Sequence, residues 1–340
     1  MESPRMTIVS LLSIAALLAL TNACGLGLQD DLRNAIPGEE AVTINAPEGN
    51  SNALTSSDAT TGEWSEFYLA TRKITRGVNG GVVGMLRVIK WITEMPATSC
   101  DEGSCTWGPG SETLDPAEWR LVVVKDGENL YSYSLQGRPK ETEDIDANYL
   151  DMVTGTSDTT SEVNHGIGTM QMHFDNWATL DPTHEETGLI DVAYDTTVEP
   201  QYLSVDFIGF SDGQNDDSSD AEAPTAASYY YSRHEDGAGN FQFVMLVDVH
   251  EGAVQPAVAE TFAIRSRWNA QGEGRSDVEI NGGDLQLNDG LDSVTAAECW
   301  DAGFKLTYAD MTPLIVDPSH NVGSESNCPA ELQTAQFPEI

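Results

Sequence analysis

The stretch Tyr131-Ser132-Tyr133-Ser134-Leu135 decides the fold, because large side chains alternate in it with small polar ones. The stretch Met170-Gln171-Met172-His173-Phe174 repeats the pattern with different residues. Successive side chains of a strand point to opposite faces of a sheet, so this period indicates strands with one buried face.

The same period continues through the chain after Pro109, with turn residues between the runs. The predicted strands cover residues 119–125, 131–135, 149–156, 169–174, 188–195, 203–208, 228–234, 240–249, 261–270, 275–281 and 302–308. Strands joined mostly by short loops are typical of antiparallel folds. The sequence therefore predicts a mainly β fold, a single antiparallel barrel, half-barrel or sandwich of about eleven strands.

Two hairpins can be placed in register from their apolar faces. Pairing Leu121 with Tyr133 puts the large side chains of both strands on one face and leaves residues 126–128 as a three-residue turn. In the hairpin formed by the predicted strands 261–270 and 275–281, the same reasoning sets Arg267 opposite Glu279. This would be a favourable cross-strand charge pair.

A long helix is predicted over residues 63–94 and is expected to pack on the sheet. Thr60 or Thr61 can cap its start, and Pro96 ends it. Apolar residues recur in it at spacings of three, four or seven, which is typical of a helix with one buried side. This stripe consists of Trp64, Phe67, Ile74, Val78, Val82, Met85, Ile89 and Ile92.

Two further features of this helix bear on where it lies. Its central glycines indicate either a kink or the close approach of another backbone. They are Gly77, Gly80, Gly81 and Gly84. Its basic residues would also suit a membrane-surface helix, but the glycines and the polar segment before it favour docking on the domain.

The first residues of the chain resemble an export signal. Arg5 precedes an apolar run from Ile8 to Leu20, which is followed by Thr21-Asn22-Ala23-Cys24. A charged start, an apolar run and a small-residue cleavage site are typical of a signal peptide, and this run is too short to span a membrane. Residues 1–23 are therefore predicted to be a signal peptide.

Cys24 resembles the lipidated cysteine of bacterial lipoproteins, although Thr21 stands where that pattern usually has Leu. The resemblance implies that a diacylglyceryl group on Cys24 anchors the mature chain in a membrane. The alternative is an ordinary secretory signal, which would leave five cysteines in a secreted protein, an unusual odd number. Gly25 replaces the Asp that retains Gram-negative lipoproteins in the inner membrane, so the resemblance favours the outer membrane of the cell envelope.

The residues after Cys24 are polar and rich in turn formers, as in Ala46-Pro47-Glu48-Gly49-Asn50. They show no apolar period, so residues 24–62 are predicted to be the lipid anchor and a flexible tether. A flexible coil of this length averages roughly 30–35 Å from end to end. Residues 63–340 would then form the β domain, with the helix at its start and a disulfide-stapled tail at its end.

The four cysteines other than Cys24 form an even set that can pair completely. Cys100 and Cys105 bracket a short loop, and outside the cytoplasm such a pair is more typical of a disulfide than of a zinc site. Cys299 and Cys328 would then join the last predicted strand to the C-terminal tail. We expect these two disulfides and no metal ligand among the cysteines.

The chain is strongly acidic. Its 340 residues include 55 acidic and 16 basic side chains, which gives a net charge of −39. Such a charge opposes binding to nucleic acid and to anionic membrane surfaces, so no nucleic acid partner is expected. Two explanations stay open, adaptation to a salty medium and a merely soluble acidic exterior.

No motif for catalysis, a cofactor or a metal stands out. The six histidines form no His-Glu-x-x-His group, and the chain has no Gly-x-Ser-x-Gly nucleophile elbow. Residues 211–225 are rich in oxygen ligands but lack the order of an EF-hand loop, so a solvated loop is favoured over weak calcium binding. A glycosidase carboxylate pair stays open, because the many acids offer accidental pairs. We therefore predict no cofactor and no enzymatic activity.

Three late segments carry a resemblance to known sequences. They are residues 267–277 (Arg-Trp-Asn-Ala-Gln-Gly-Glu-Gly-Arg-Ser-Asp), 298–301 (Glu-Cys-Trp-Asp) and 323–328 (Gly-Ser-Glu-Ser-Asn-Cys). Together with the N-terminal pattern, they resemble a group of uncharacterised lipoproteins of myxobacteria and their relatives. The resemblance implies the envelope location and the cysteine pairing, and it implies no activity.

These features lead to three hypotheses about function. The leading one is a non-enzymatic envelope lipoprotein that binds an apolar ligand or a partner protein at the outer membrane, where the lipid on Cys24 holds it. Its ligand surface would be an open concavity, similar in plan to that of the half-barrel carriers of bacterial lipoproteins. The residues predicted to line it are Tyr131, Tyr133, Met170, Met172 and Phe174.

The other two hypotheses require different interiors of the fold. A structural or assembly component would have a filled core and no ligand. A hydrolase of envelope polymers would need a cleft with two facing carboxylates or with a histidine–carboxylate pair.

Overall fold

Antiparallel strands form one open sheet in which each strand pairs with the next one along the chain. The structure is a computed structural model that describes residues 26–47, 60–162, 165–211, 226–247, 258–285, 290–312 and 321–337. Fifteen strands lie within these ranges. The mainly β fold predicted from the alternation is confirmed.

The first eight strands are β1 (Ser99–Cys100), β2 (Ser104–Gly110), β3 (Ala117–Lys125), β4 (Leu130–Pro139), β5 (Leu150–Glu162), β6 (His165–His173), β7 (Thr187–Asp195) and β8 (Gln201–Ser211). The others are β9 (Ala226–Arg233), β10 (Gly239–Val247), β11 (Glu260–Trp268), β12 (Gly274–Asn281), β13 (Ser293–Trp300), β14 (Leu306–Thr312) and β15 (Val322–Gly323). The helices are α1 (Leu26–Ala35), α2 (Glu66–Glu94) and α3 (Phe174–Leu180), and a 3-10 turn spans Glu39–Val42.

The prediction of about eleven strands is too low, and the single sheet neither closes into a barrel nor divides into a sandwich within the described ranges. Alternation does not reveal β2, because Gly108-Pro109-Gly110 has the composition of a turn. It does not reveal β13 either, because Ala296 and Ala297 are small on both faces and both are buried. The two edge strands, β1 and β15, are too short to show a period.

The register predicted for the β3–β4 hairpin is wrong by two residues. Leu121 lies opposite Leu135 and not opposite Tyr133. The connection is longer than the predicted three-residue turn, because the Asp126 amide donates to the Leu130 carbonyl at 2.8 Å and closes a wider loop. A slip of two residues keeps every side chain on its predicted face.

The register predicted for the β11–β12 hairpin is wrong by four residues. Arg267 lies opposite Arg275 and not opposite Glu279. Residues 269–273 form the connection, which is closed by a hydrogen bond from the Asn269 amide to the Glu273 carbonyl at 3.0 Å. The predicted cross-strand charge pair is therefore absent from this hairpin.

Aromatic rings cover glycines across five of the strand pairs. In each case the glycine lies directly opposite the aromatic residue, and a methyl group added to the glycine would come closer than 3.0 Å to the ring. The pairs are Trp119 with Gly137, Tyr133 with Gly155, Tyr194 with Gly168, Trp268 with Gly239, and Trp300 with Gly274. Because each ring fits only over a residue without a Cβ, these pairs specify the register of their strands.

The predicted helix is confirmed as α2, which is 29 residues long. Its N-cap is Ser65, whose hydroxyl accepts a hydrogen bond from the Tyr68 amide at 3.1 Å, and not Thr60 or Thr61. The helix ends at Glu94, shortly before Pro96, as expected from the restriction that proline places on the preceding residue.

Helix α2 packs against one face of the sheet, which we call the inner face, and the opposite one the outer face. Val82, Leu86 and Ile89 are buried in the C-terminal half of the helix. In the N-terminal half, the buried side consists of Tyr68, Thr71, Arg72 and Thr75. The helix is docked as expected, but it is rotated relative to the predicted apolar stripe, of which Met85 is one of the half-buried members.

The central glycines of α2 do not accommodate another backbone. No atom outside the helix's own backbone lies within 4 Å of a Cβ placed on Gly77, Gly80 or Gly81. Of the two alternatives predicted from these glycines, a kink or the close approach of another backbone, the second is therefore wrong at these three positions.

Residues 26–47 run antiparallel to α2 along its whole length, so the flexible tether predicted for residues 24–62 is wrong over this range. Ala35, Ile36, Val42 and Ile44 are buried in the main core. Hydrogen bonds tie this N-terminal segment to α2 or to the residue after it. They join Pro47 to Tyr68, Ile44 to Asn79, Glu39 to Arg87, Arg33 to Thr93 and Gln29 to Met95. Residues 48–59 lie outside the described ranges.

Both predicted disulfides are formed. Cys100–Cys105 joins β1 to β2, and Cys299–Cys328 joins β13 to the C-terminal tail. The tail, residues 321–337, lies over the outer face of β11–β13, where Gln336 donates its amide to Asp277 at 2.9 Å. Residues 321–337 are thereby held on the side of the sheet opposite α2.

Gly155→Val should destabilise the domain by roughly 1–3 kcal/mol, because the ring of Tyr133 leaves no room for a side chain. Gly81→Ala is the matched control. It should stabilise the domain by up to about 1 kcal/mol, because alanine favours the helix and meets no neighbour. Urea unfolding of both variants measures the two changes, and a Gly155→Val variant as stable as the wild type would show that the ring and the glycine are not interlocked.

Candidate functional site

The five residues predicted to line an open concavity are buried instead. Tyr131, Tyr133, Met170 and Met172 lie on the inner face, and none of them exposes more than 5% of its surface. Phe174 begins α3 and packs edge-on against an aromatic ring of β8. The structure brings the five residues together in one core, where they are packing residues and not the wall of an open pocket.

The cover over this part of the sheet comes from the chain itself. Leu86 of α2 and Ile36 of the N-terminal segment are completely buried in the same core. Burial in it raises the pKa of the Tyr133 hydroxyl far above its usual value, and that hydroxyl donates to the Thr169 carbonyl at 3.2 Å. A ligand could reach the predicted residues only if α2 or the N-terminal segment moved away.

A buried carboxylate holds the N-terminal end of α2. Glu298 of β13 accepts hydrogen bonds from the Ser65 hydroxyl at 2.7 Å and from the Phe67 amide at 3.0 Å. Glu298 and Ser65 are both fully buried. The first amides of a helix have no acceptor within it, and a carboxylate is favourable there. This contact determines where the helix begins on the sheet.

A row of buried hydroxyl groups continues from this end of the helix. Thr71 Oγ1 lies 2.6 Å from Ser266 Oγ, which lies 2.6 Å from Ser276 Oγ. All three side chains are buried, and each hydroxyl can both donate and accept. Because the row is sealed from solvent, its geometry positions the helix and gives a substrate no access.

The alternation of side chains along β11 and β13 could have assigned these polar residues to the inner face. Their residue types alone could not. Ser266 lies between Ile264 and Trp268 on the same face of β11, and Glu298 precedes Trp300 by two residues on β13. Their positions therefore assign them to the inner face. Serine and glutamate are nevertheless expected on the solvent side, because both are polar.

Glu298→Ala should destabilise the domain, because it leaves the Ser65 hydroxyl and the Phe67 amide buried without their acceptor. Each orphaned group costs about 1–3 kcal/mol. Glu298→Gln keeps an acceptor oxygen of the same shape and should cost less. The free energy of urea unfolding of the two variants tests the order, which would be contradicted if alanine were tolerated as well as glutamine.

The outer face carries a charge cluster beneath the C-terminal tail. The carboxylate of Asp277 lies 3.0 Å from Arg267 and 2.7 Å from Arg275, and Arg275 also pairs with Glu325 at 3.0 Å. Burial lowers the pKa of Arg267, although Asp277 opposes that shift. The two neighbouring arginines are compatible because the buried carboxylate lies between them. The cluster ties the tail to the sheet and is covered by it.

A surface depression of about 690 Å³ lies between the start of α2 and the β13–β14 turn. It is open to solvent and lined mostly by polar residues and glycines, among them Thr61, Asp301, Lys305 and Asn327. The Lys305 ammonium lies 4.2 Å from the centre of the Trp64 ring at the same place. Pockets for apolar ligands are enclosed and mostly apolar, so this depression is a poor match for one.

Two histidine–carboxylate pairs lie on connections between strands. His234 Nδ1 lies 3.1 Å from Glu199, and His184 Nδ1 lies 3.4 Å from Glu186. Their side chains are exposed or half-exposed. A hydrolase holds its acid and base in a cleft that surrounds the substrate, and these surface pairs have no such setting.

Two carboxylates also face each other on the outer face. Asp191 of β7 lies directly opposite Asp206 of β8. Partial burial raises the pKa of Asp206, and the neighbouring charge of Asp191 raises it further. Like charges directly opposite each other on neighbouring strands are destabilising.

Within the described ranges, no group of three or more histidine, cysteine or acidic side chains is arranged to hold a metal ion. The same ranges contain no helix long and apolar enough to cross a bilayer. Three predicted features lie outside the described residues, namely the signal peptide 1–23, the lipidation site Cys24 and the 211–225 loop beyond Ser211.

A comparison of the chain with models of protein families, with curated proteins and with solved structures found no match.

Asp206→Asn should stabilise the domain slightly at neutral pH. The raised pKa of Asp206 means that the folded state holds its proton more tightly than the unfolded state does, so stability falls as pH rises through the interval between the usual and the raised value. The variant lacks this loss of stability, so its free energy of unfolding should exceed that of the wild type by on the order of 0.2–1 kcal/mol near neutral pH.

The gain should vanish at about pH 3, where Asp206 is protonated in both states. Asp191→Asn is the companion variant and should have the same sign. Urea unfolding at the two pH values measures the effect, and a gain of equal size at both would exclude charge repulsion as its cause.

Proposed function

We propose that the protein is a non-catalytic lipoprotein of the bacterial cell envelope that acts as a structural or assembly component through its outer surface. The observation that carries the proposal is the filled inner face. Tyr133 and Met170, expected to line an open concavity, lie in a core that α2 and the N-terminal segment cover. Of the hypotheses that the sequence supports, an apolar-ligand carrier needs an open cavity, whereas an assembly component does not.

We infer further that the sheet bends into a half-barrel around α2. Open sheets of more than about ten strands usually curl or split. The two ends of α2 support curling, because Glu298 of β13 holds one end while Trp107 of β2 donates its indole N–H to Met95 at the other, at 2.8 Å. Inner-face side chains from β2 to β13 share one core with the helix.

The proposed location depends on two features of the cysteines and on the glycine that follows Cys24. Disulfides persist in oxidising compartments such as the bacterial envelope, and both predicted pairs are formed. Cys24 is the cysteine left over, and its sequence context resembles a lipidation site. Gly25 directs the proposed lipoprotein to the outer membrane, by the resemblance to Gram-negative sorting signals.

The outer surface offers a place for a protein partner. Ile208, Tyr230 and Leu246 lie on the outer face of three consecutive strands, β8–β10, and expose 53%, 41% and 39% of their surfaces. Tyr230 also stacks on Tyr202, with ring centres 6.2 Å apart. Exposed aromatic and aliphatic side chains on an otherwise polar, acidic surface favour a protein partner over nucleic acid.

The proposal predicts two mass-spectrometric results. The wild-type protein extracted from membranes should carry acyl chains on Cys24, and Cys24→Ser should appear unacylated in the soluble envelope fraction. Organic extraction of the purified Cys24→Ser protein should then release no lipid in molar amount, because α2 and the N-terminal segment occupy the inner face.

Thr21→Leu is the matched control, since it completes the lipidation pattern and should leave the protein acylated. A soluble, unacylated wild-type protein would refute the anchor. One equivalent of lipid in the extract would instead restore the carrier hypothesis.

A further inference from the structure

The N-terminal segment leaves little chain between the proposed lipid anchor and the folded domain. Helix α1 begins at Leu26, only two residues after Cys24. Two residues span at most about 7 Å, even when they are fully extended. A flexible tether over residues 24–62 would instead have allowed a separation of roughly 30–35 Å.

The start of α1 is fixed to the domain and cannot serve as a tether. Gln29 donates to the Met95 carbonyl at 2.9 Å, and Arg33 donates to the Thr93 carbonyl at 2.8 Å. The helix packs against β3 and β5, and Asp31 lies 4.0 Å from the ammonium of Lys125. The anchored end of the chain therefore emerges beside these strands.

Lys125 identifies which end of the sheet lies near the anchor. It is the last residue of β3, and its amide donates to the carbonyl of Gly103 at 2.7 Å. The β1–β2 turn and the β3–β4 turn are therefore neighbours at this end, which we call the anchor end. The loops 111–116 and 140–148 follow β2 and β4, so they lie at the far end, about 30 Å away for strands of this length.

We propose that the anchor end of the sheet rests directly on the lipid headgroups, with the β1–β2 and β3–β4 turns facing a zwitterionic phospholipid surface. This inference rests on the proposed lipidation of Cys24. The short connection brings these turns to the bilayer, and Leu130, which is 44% exposed, lies beside them.

The charge at the anchor end determines which lipids suit it. Asp101 and Glu102 are exposed in the first turn, and Asp126 and Glu128 are exposed in the second. Four carboxylates are repelled by anionic headgroups at low salt and less so at high salt. The covalent lipid therefore supplies the attraction, and the protein surface sets a preference for headgroups without net charge.

Two matched labels test this orientation on the full-length, lipidated protein. Glu128→Cys and Glu143→Cys each replace one exposed glutamate, the first at the anchor end and the second at the far end. Each cysteine is labelled with a fluorophore, and the protein is reconstituted in phosphatidylcholine vesicles that contain a headgroup-attached quencher. Fluorescence should be lost at position 128 and retained at position 143.

A spacer variant supplies the control for the short connection. Twenty glycine and serine residues inserted between Gly25 and Leu26 should restore the fluorescence at position 128 while leaving the protein acylated. Replacing part of the phosphatidylcholine by phosphatidylglycerol should weaken the quenching at low salt, and added salt should recover it.

The outcomes separate this inference from the proposal on which it rests. An unacylated wild-type protein, seen by intact mass, would remove the anchor and both conclusions with it. An acylated protein whose label is quenched equally at positions 128 and 143, or only at 143, would overturn the orientation and leave the anchor standing. Quenching at 128 that survives the spacer would support the orientation and show that the turns hold it by their own contact with lipid, without the short connection.

Discussion

An open sheet with one apolar face must cover that face, because exposed apolar area opposes folding. Here the cover is α2 together with the N-terminal segment that runs back along it, and the other features depend on this arrangement. Tyr133 and Met170 become core residues and do not line a binding surface. The first residues after the proposed anchor become part of the fold. Under the proposed function, a partner would contact the outer face or the ends of the sheet.

Apolar contact alone would leave the position of the covering helix underdetermined, since the hydrophobic effect has no direction. A shift of α2 by one turn, about 5.4 Å, would keep much of its apolar side against the sheet. It would also separate Glu298 from Ser65 and Thr71 from Ser266, which are paired at 2.7 and 2.6 Å. Buried polar groups are costly without partners, so these few directional contacts select one position of the helix.

The sequence predicted those parts of the fold whose signal is local. Alternation around Tyr133 revealed strands, and the spacing of apolar residues revealed α2. The even number of cysteines other than Cys24, together with the expectation of an oxidising compartment, predicted the partner of Cys299. The parts that failed depend on contacts between distant residues. Nothing local distinguishes the N-terminal segment around Ile36 from a tether, because its burial comes from α2 and the sheet. The register of the β3–β4 hairpin failed because the ring of Trp119 lies over Gly137, a choice of partner that face patterns cannot resolve by themselves.

Serial pairing of strands has a consequence for how the chain reaches its native state. Each strand pairs with the one made just before it, so the sheet can grow in the order in which the chain emerges. Helix α2 emerges early, yet Ser65 and the acceptor that caps its start, Glu298, are 233 residues apart. Until β13 has formed, Glu298 cannot hold the start of the helix, and the growing sheet keeps an exposed apolar side. Closure of the core therefore waits for the last strands of the sheet, and a holding chaperone would be needed most while only the middle strands have formed.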